Sequence, residues 1–161
     1  MEGHEIMERE EYEIVVEQYS DMVTRIAIMN VKNIDDAKDC YQNVFMKLYC
    51  CNKDFDSPEH IKAWLIRVTV NECKDYQKQF WKRNIDIDDV IVGKQDEKLV
   101  ILPLVMKLTS KYRNVLYLYY YEGYSTNEIA KILKKNCNTV KSCLIRGRKL
   151  LKKKLGDDFY E

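Results

Sequence analysis

Between residues 8 and 30 apolar side chains return at three- and four-residue steps: Tyr12, Val15, Tyr19, Met22, Val23 and Ile26. That spacing predicts an amphipathic helix. A second helix is expected from about Asp35 to Cys50. Its apolar stripe is Ala37, Tyr41, Val44 and Leu48, which leaves Asp39, Asn43 and Lys47 on the other side. Residues 52–59 (NKDFDSPE) have loop chemistry, and Ser57-Pro58 predicts a helix start. A third helix then runs to about Lys82, with Ile61, Trp64, Leu65, Val68 and Cys73 inward. Residues 84–102 break the period, mixing acidic residues with short apolar steps, and read as a linker; an edge strand over Ile85–Val92 is the weaker alternative. From Pro103 the helical period resumes. A short helix is expected at Val105–Leu108 and a longer one at Tyr112–Tyr121, then a pair at Ser125–Leu133 and Thr139–Leu155. The fold class is therefore all-α, with two small helical domains at 8–83 and 103–156 joined by the 84–102 linker.

The last pair carries the most specific local signals. Ser125-Thr126-Asn127-Glu128 fits a capping box, in which the serine hydroxyl and the glutamate carboxylate each accept from the other's backbone amide. Ile129, Ala130 and Leu133 then face inward, with Ala130 small where a second helix must cross. Asn136 can cap that helix, and Val140 follows Ala130 at helix-turn-helix spacing. Val140, Leu144, Gly147 and Leu151 form its packing face. The opposite face offers Asn138, Thr139, Lys141, Ser142, Ile145, Arg146 and Lys149. Arginine and lysine there suit guanine edges or phosphates, and the small polar residues suit either. A helical hairpin with a solvated basic face is the plain alternative.

Charge sharpens this picture. The net charge of +1 hides an asymmetry: residues 1–60 hold 14 acidic and 6 basic side chains, whereas residues 105–161 hold 5 and 13. The basic C-terminal third points to a polyanion, most simply nucleic acid, and the acidic N-terminal third to a protein partner. A chain 46% hydrophobic and 33% charged is a globular one. No apolar run approaches the length of a membrane span, and the acidic N-terminus lacks signal-peptide order, so the protein is expected in the cytosol. Six cysteines, at 40, 50, 51, 73, 137 and 143, form no C-x-x-C, and His4 and His60 are the two histidines. They read as small buried hydrophobes of a reducing compartment, with no metal site. Trp64 and Tyr119–Tyr121 read as core. Asp86, Asp88 and Asp89 read as acidic linker, since no calcium-loop spacing follows. No nucleophile–base or phosphate-loop constellation is present, so no catalysis and no cofactor are expected.

The segment YRNVLYLYYYEGYSTNEIAKIL, followed by NTVKSCLIRGRKLLKKKL, resembles the fourth conserved region of extracytoplasmic-function (ECF) sigma factors of the sigma-70 family. DAKDCYQNVFMKLY, followed by IKAWLIRVTVNECKDY, resembles their second conserved region. The resemblance implies a polymerase-binding specificity subunit for promoter-directed transcription initiation. It implies that Asp39, Gln42 and Asn43 dock on the clamp helices of core RNA polymerase, with Asn43 standing where glutamate is usual. It implies a pocket for a flipped minus-ten base from Asn52, Lys53, Asp54 and Phe55 with Lys47, Asn71 and Lys74. Asn138, Thr139, Lys141, Ser142, Arg146 and Lys149 would read the minus-thirty-five element. A cognate anti-sigma factor is also implied, often membrane-anchored. Lys134 departs from the family's turn glycine, Lys135 from a core aliphatic, Cys143 from a frequent arginine and Gly147 from a frequent alanine. The competing readings are a helix-turn-helix regulator that does not bind core polymerase and, more remotely, a nucleic-acid enzyme using the linker carboxylates.

Overall fold

The computed structural model describes residues 7–31, 33–80 and 102–159. The chain is all-α and divides into two compact units, Met1–Ile91 and Val92–Glu161. No strand occurs among the described residues. The linker 84–102 up to its last residue, the candidate strand, Asp86, Asp88, Asp89, His4 and the expected helix end near Lys82 lie outside them.

In the first unit, α1 (Arg9–Val31), α2 (Ile34–Tyr49) and α3 (Pro58–Phe80) pack pairwise around one core. Val23, Ile26, Met29, Val44, Leu48, Leu65 and Ile66 are fully buried there. Each such side chain removed from water contributes about 1.5–3 kcal/mol. Local chemistry fixes the helix starts. Asn33 caps α2, its side-chain oxygen accepting from the Asp35 and Asp36 amides at 2.8 and 3.3 Å, and those two acids sit at the positive end of the helix. Ser57 Oγ accepts from the His60 amide at 3.2 Å, and Pro58 opens α3 as expected. Buried polar groups are satisfied internally: Asn30 donates to the Ile26 carbonyl and Thr69 to the Leu65 carbonyl.

Two inward assignments shift here. Val68 is only half-buried, whereas Ile66, Thr69 and Val70 are buried. The helix α3 packs against both α1 and α2, so its covered face is wider than one stripe. Trp64 is half-buried, not core, and meets Phe55 edge-on at 5.7 Å.

The second unit holds α4 (Leu102–Met106), α5 (Ser110–Leu116), a π turn (Tyr117–Tyr121), α6 (Thr126–Leu133) and α7 (Cys137–Phe159). Val115, Leu116, Leu118, Ile129 and Val140 make its core. Gly147 sits where α7 crosses α5, and a Cβ there would lie 3.1 Å from Leu116 Cδ1. The glycine therefore permits a close approach rather than only weakening the helix. Arg113 is a buried cation: its Nη1 donates to the Met106 carbonyl at 3.2 Å, its Nε has no protein partner, and burial pushes its pKa down to about 10.

Two readings are corrected in this unit, and one more across both units. Ile132, not Leu133, is buried on α6; Leu133, the last helical residue before the turn, is half-buried. The tyrosine run is not uniformly core, since Tyr120 is 59% exposed and Tyr119 and Tyr121 are half-buried. The wide π turn inserts an extra residue and carries Tyr120 outward, where its hydroxyl bonds Arg148. The cysteines also divide: Cys40, Cys73 and Cys143 are buried as expected, but Cys50 is exposed and Cys51 and Cys137 are half-buried. All six are free thiols. A hydrogen bond shared with Cys40, together with burial, raises the Cys73 thiol above its ordinary range, which makes it chemically quiet.

Candidate nucleic-acid and protein interfaces

The α6–α7 pair has the geometry of a helix-turn-helix. The capping box is complete: Ser125 Oγ accepts from the Glu128 amide at 3.2 Å, and Glu128 Oε2 accepts from the Ser125 amide at 2.9 Å. At the other end Lys134 takes the left-handed conformation, φ 51° and ψ 50°, and the Lys135 amide reaches back to the Ala130 carbonyl at 2.9 Å. This is the turn where glycine is usual, so the lysine adopts a conformation that costs a side chain about 1 kcal/mol. Asn136 Oδ1 then accepts from the Asn138 amide at 2.8 Å and starts α7. Ala130 and Val140 are buried at the crossing.

That frame fixes which side of α7 is offered. Val140, Cys143, Leu144, Gly147 and Leu151 face the core, and Asn138, Thr139, Lys141, Ser142, Arg146 and Lys149 are all exposed. Cys143, where an arginine is frequent, is thus a packing residue. Ile145 stands 52% exposed among the polar residues of that outer face. Arg148 lies to one side, its guanidinium 5.4 and 5.5 Å from the Tyr119 and Tyr120 rings. Sequence reasoning passed over this arginine, because the pairing depends on the π turn.

On the first unit the candidate residues divide between α2, α3 and the connection between them. Asp39, Gln42, Asn43 and Lys47 are exposed on α2. Asn43 Nδ2 donates to Glu72 Oε1 at 3.0 Å and more weakly to the Tyr76 hydroxyl at 3.4 Å. Lys47 Nζ donates to Glu72 Oε2 at 2.6 Å. Burial, and next the Asp39 carboxylate, raise the Tyr76 phenol above its usual range, so Asp39 borders the same cluster. Lys47 is thereby held against the stretch of α3 that carries Asn71 and Lys74, both exposed. In the connection, Asn52, Lys53 and Asp54 are exposed, while Phe55 is half-buried against His60 and Trp64. The Asp56 amide donates to His60 Nδ1 at 3.2 Å, which pins the end of this loop to α3. Glu72, buried at 8% exposure, was missed in the sequence. No local signal marks it, for its partners lie one helix away.

A capped helix-turn-helix with a basic outer face, in a chain that also carries a three-helix unit with exposed polar residues on α2, is the arrangement of a DNA-binding protein. Two family descriptions match: Sigma-70 region 2 over residues 15–83, and Sigma-70, region 4 over residues 99–151. The chain belongs to the sigma-70 family of RNA polymerase sigma factors and is of ECF type. The sigma factor SigV of Bacillus subtilis is 31% identical over 134 residues, covering 80% of this chain and 81% of its own length. The ECF sigma factor SigW of the same species is 27% identical over 165 residues, covering 89% and 88%. Among solved structures, the sigma factor RpoE of Bartonella quintana, in complex with the anti-sigma factor NepR, has a TM-score of 0.75 at 20% identity, over 90% of this chain and 96% of that one. CnrH, in complex with the cytosolic domain of CnrY, has a TM-score of 0.67 at 21% identity, over 94% and 91%. At these identities both likenesses speak for the fold.

Proposed function

We propose that this chain binds core RNA polymerase and directs it to start transcription at specific promoters, without catalysing a reaction itself. The observation that carries the reading is the co-occurrence, in one chain and in family order, of the region 2 and region 4 matches. In this reading residues 8–83 dock on polymerase and capture the minus-ten element, 84–102 link, and 103–156 read the minus-thirty-five element. Asp39, Gln42 and Asn43 contact the polymerase clamp. Lys47, Asn52, Lys53, Asp54, Phe55, Asn71 and Lys74 form the minus-ten pocket, where extruding a base costs a few kcal/mol that its contacts must recover. Asn138, Thr139, Lys141, Ser142, Arg146 and Lys149 read the minus-thirty-five bases and adjoining phosphates. The exposure of the α2, α3 and α7 residues among them, on helices held by buried neighbours, and of Asn52, Lys53 and Asp54 in the connection supports these roles.

In this reading the chain acts in the cytosol, where core polymerase works. Among the described residues no helix is long and apolar enough to cross a membrane, and no group of side chains could hold a metal ion. The opposite charge of the two ends supports a further partner, an anti-sigma protein that covers both working faces and competes with polymerase. Co-purification with core polymerase is the direct test of the reading. A stoichiometric complex is expected, and a chain that binds DNA but never core polymerase would be a helix-turn-helix regulator instead.

A further inference from the structure

Both oxygens of Glu72 are committed to side chains of another helix. Oε1 accepts from Asn43 and Oε2 from Lys47, residues one turn apart on α2. A buried carboxylate is costly to keep unless paired, and an apolar side chain would fill the same space. The pairing has consequences for each partner. An ionised carboxylate only accepts, so it turns the Asn43 amide group inward, where the Tyr76 hydroxyl also meets it. The carbonyl oxygen of Asn43 is then the end left for an incoming partner. Position 43 thus offers an acceptor, as the glutamate usual there would. The Lys47 ammonium has three donor directions, of which Glu72 takes one. The lysine side chain is still 55% exposed, against 11% for that of Glu72, so the remaining donors face outward from a fixed point. A lysine already held loses less rotamer freedom when it binds.

We infer that Glu72 is a positioning residue serving both partners of the first unit, presenting Asn43 as an acceptor to polymerase and Lys47 as a preset cation to promoter DNA. This rests on the proposed function. The experiment compares Glu72→Ala and Glu72→Gln in the full-length chain, alone and combined with Asn43→Ala or Lys47→Ala. Two quantities are read: affinity for core polymerase, and promoter binding by the holoenzyme on a fragment that the wild-type holoenzyme selects from genomic DNA.

Glu72→Ala should weaken each by about 3- to 10-fold. The loss in core affinity should shrink to within about twofold when Asn43 is already alanine, and the promoter loss likewise when Lys47 is alanine. Glu72→Gln keeps an acceptor but no charge, so it should restore more of the Asn43-dependent affinity than of the Lys47-dependent binding. It also carries the test if the alanine variant does not fold. Losses undiminished in both combined backgrounds would overturn the inference, because a general structural defect would be additive. Tighter promoter binding by Glu72→Ala would also overturn it, since Glu72 would then compete with DNA for Lys47. If the wild-type chain binds no polymerase, the proposed function fails. If it does and both Glu72 variants are silent, only this inference fails.

Discussion

The two units present their outward polar side chains by different physical means. In the second unit, the start and direction of α7 are set by contacts close in sequence, before its inner face packs on α5. The Ser125–Glu128 box, the Lys134 turn and the Asn136 cap each span a few residues, and together they aim the helix. In the first unit, the face of α2 is set from a distance, by Glu72 reaching across from α3 to Asn43 and Lys47, 29 and 25 residues earlier. One surface follows from local chemistry and tolerates exchange of its exposed residues. The other is a shared network, in which changing one member disturbs the rest.

Substitutions can break or sharpen this contrast. The largest effect is expected from Asp39→Arg, which reverses a charge on the exposed face of α2. A like-charge contact costs several kcal/mol in association, so core polymerase binding should collapse while helicity is retained. A titration beside a circular dichroism spectrum checks both. Arg146→Ala comes next, with about 1–3 kcal/mol lost in discrimination between promoter and mutated promoter if the guanidinium makes a paired base contact. Lys152→Ala, further along α7, should instead weaken all sequences alike and lower the salt slope by about 1, read from binding at several salt concentrations. Within the second unit, Ser125→Ala should cost about 1 kcal/mol of stability by removing the cap. Lys134→Gly should return a similar amount by relieving the left-handed lysine. Thermal melts of the full chain read both. Opposite signs for this pair would support a locally encoded turn, whereas matching signs would argue that tertiary contacts set it.

This contrast also explains what could be read from the sequence. Helix periods placed α1, α2 and α3 to within one or two residues at their described ends, because long amphipathic stripes and the Ser57-Pro58 start are local signals. The α6 cap was equally legible, for the same reason. Side-chain burial was less so. Leu133 and Val68 trade places with neighbours because the number of helices packed against a face decides how wide its buried stripe is. The outward turn of Tyr120 needed the π turn, and helical periodicity cannot foresee an inserted residue. Glu72 was invisible because acidic residues on a helix are ordinarily solvated, and only packing shows this one facing two donors.

In the proposed function the two faces act together in one specificity subunit. This is tested most directly by run-off transcription with purified core polymerase, with and without this chain, on promoter fragments from the source genome. A discrete template-specific transcript is expected that requires the chain and disappears with Asp39→Arg. Core polymerase giving the same products whether or not the chain is present, on every fragment enriched by it, would show that the chain is not a specificity subunit.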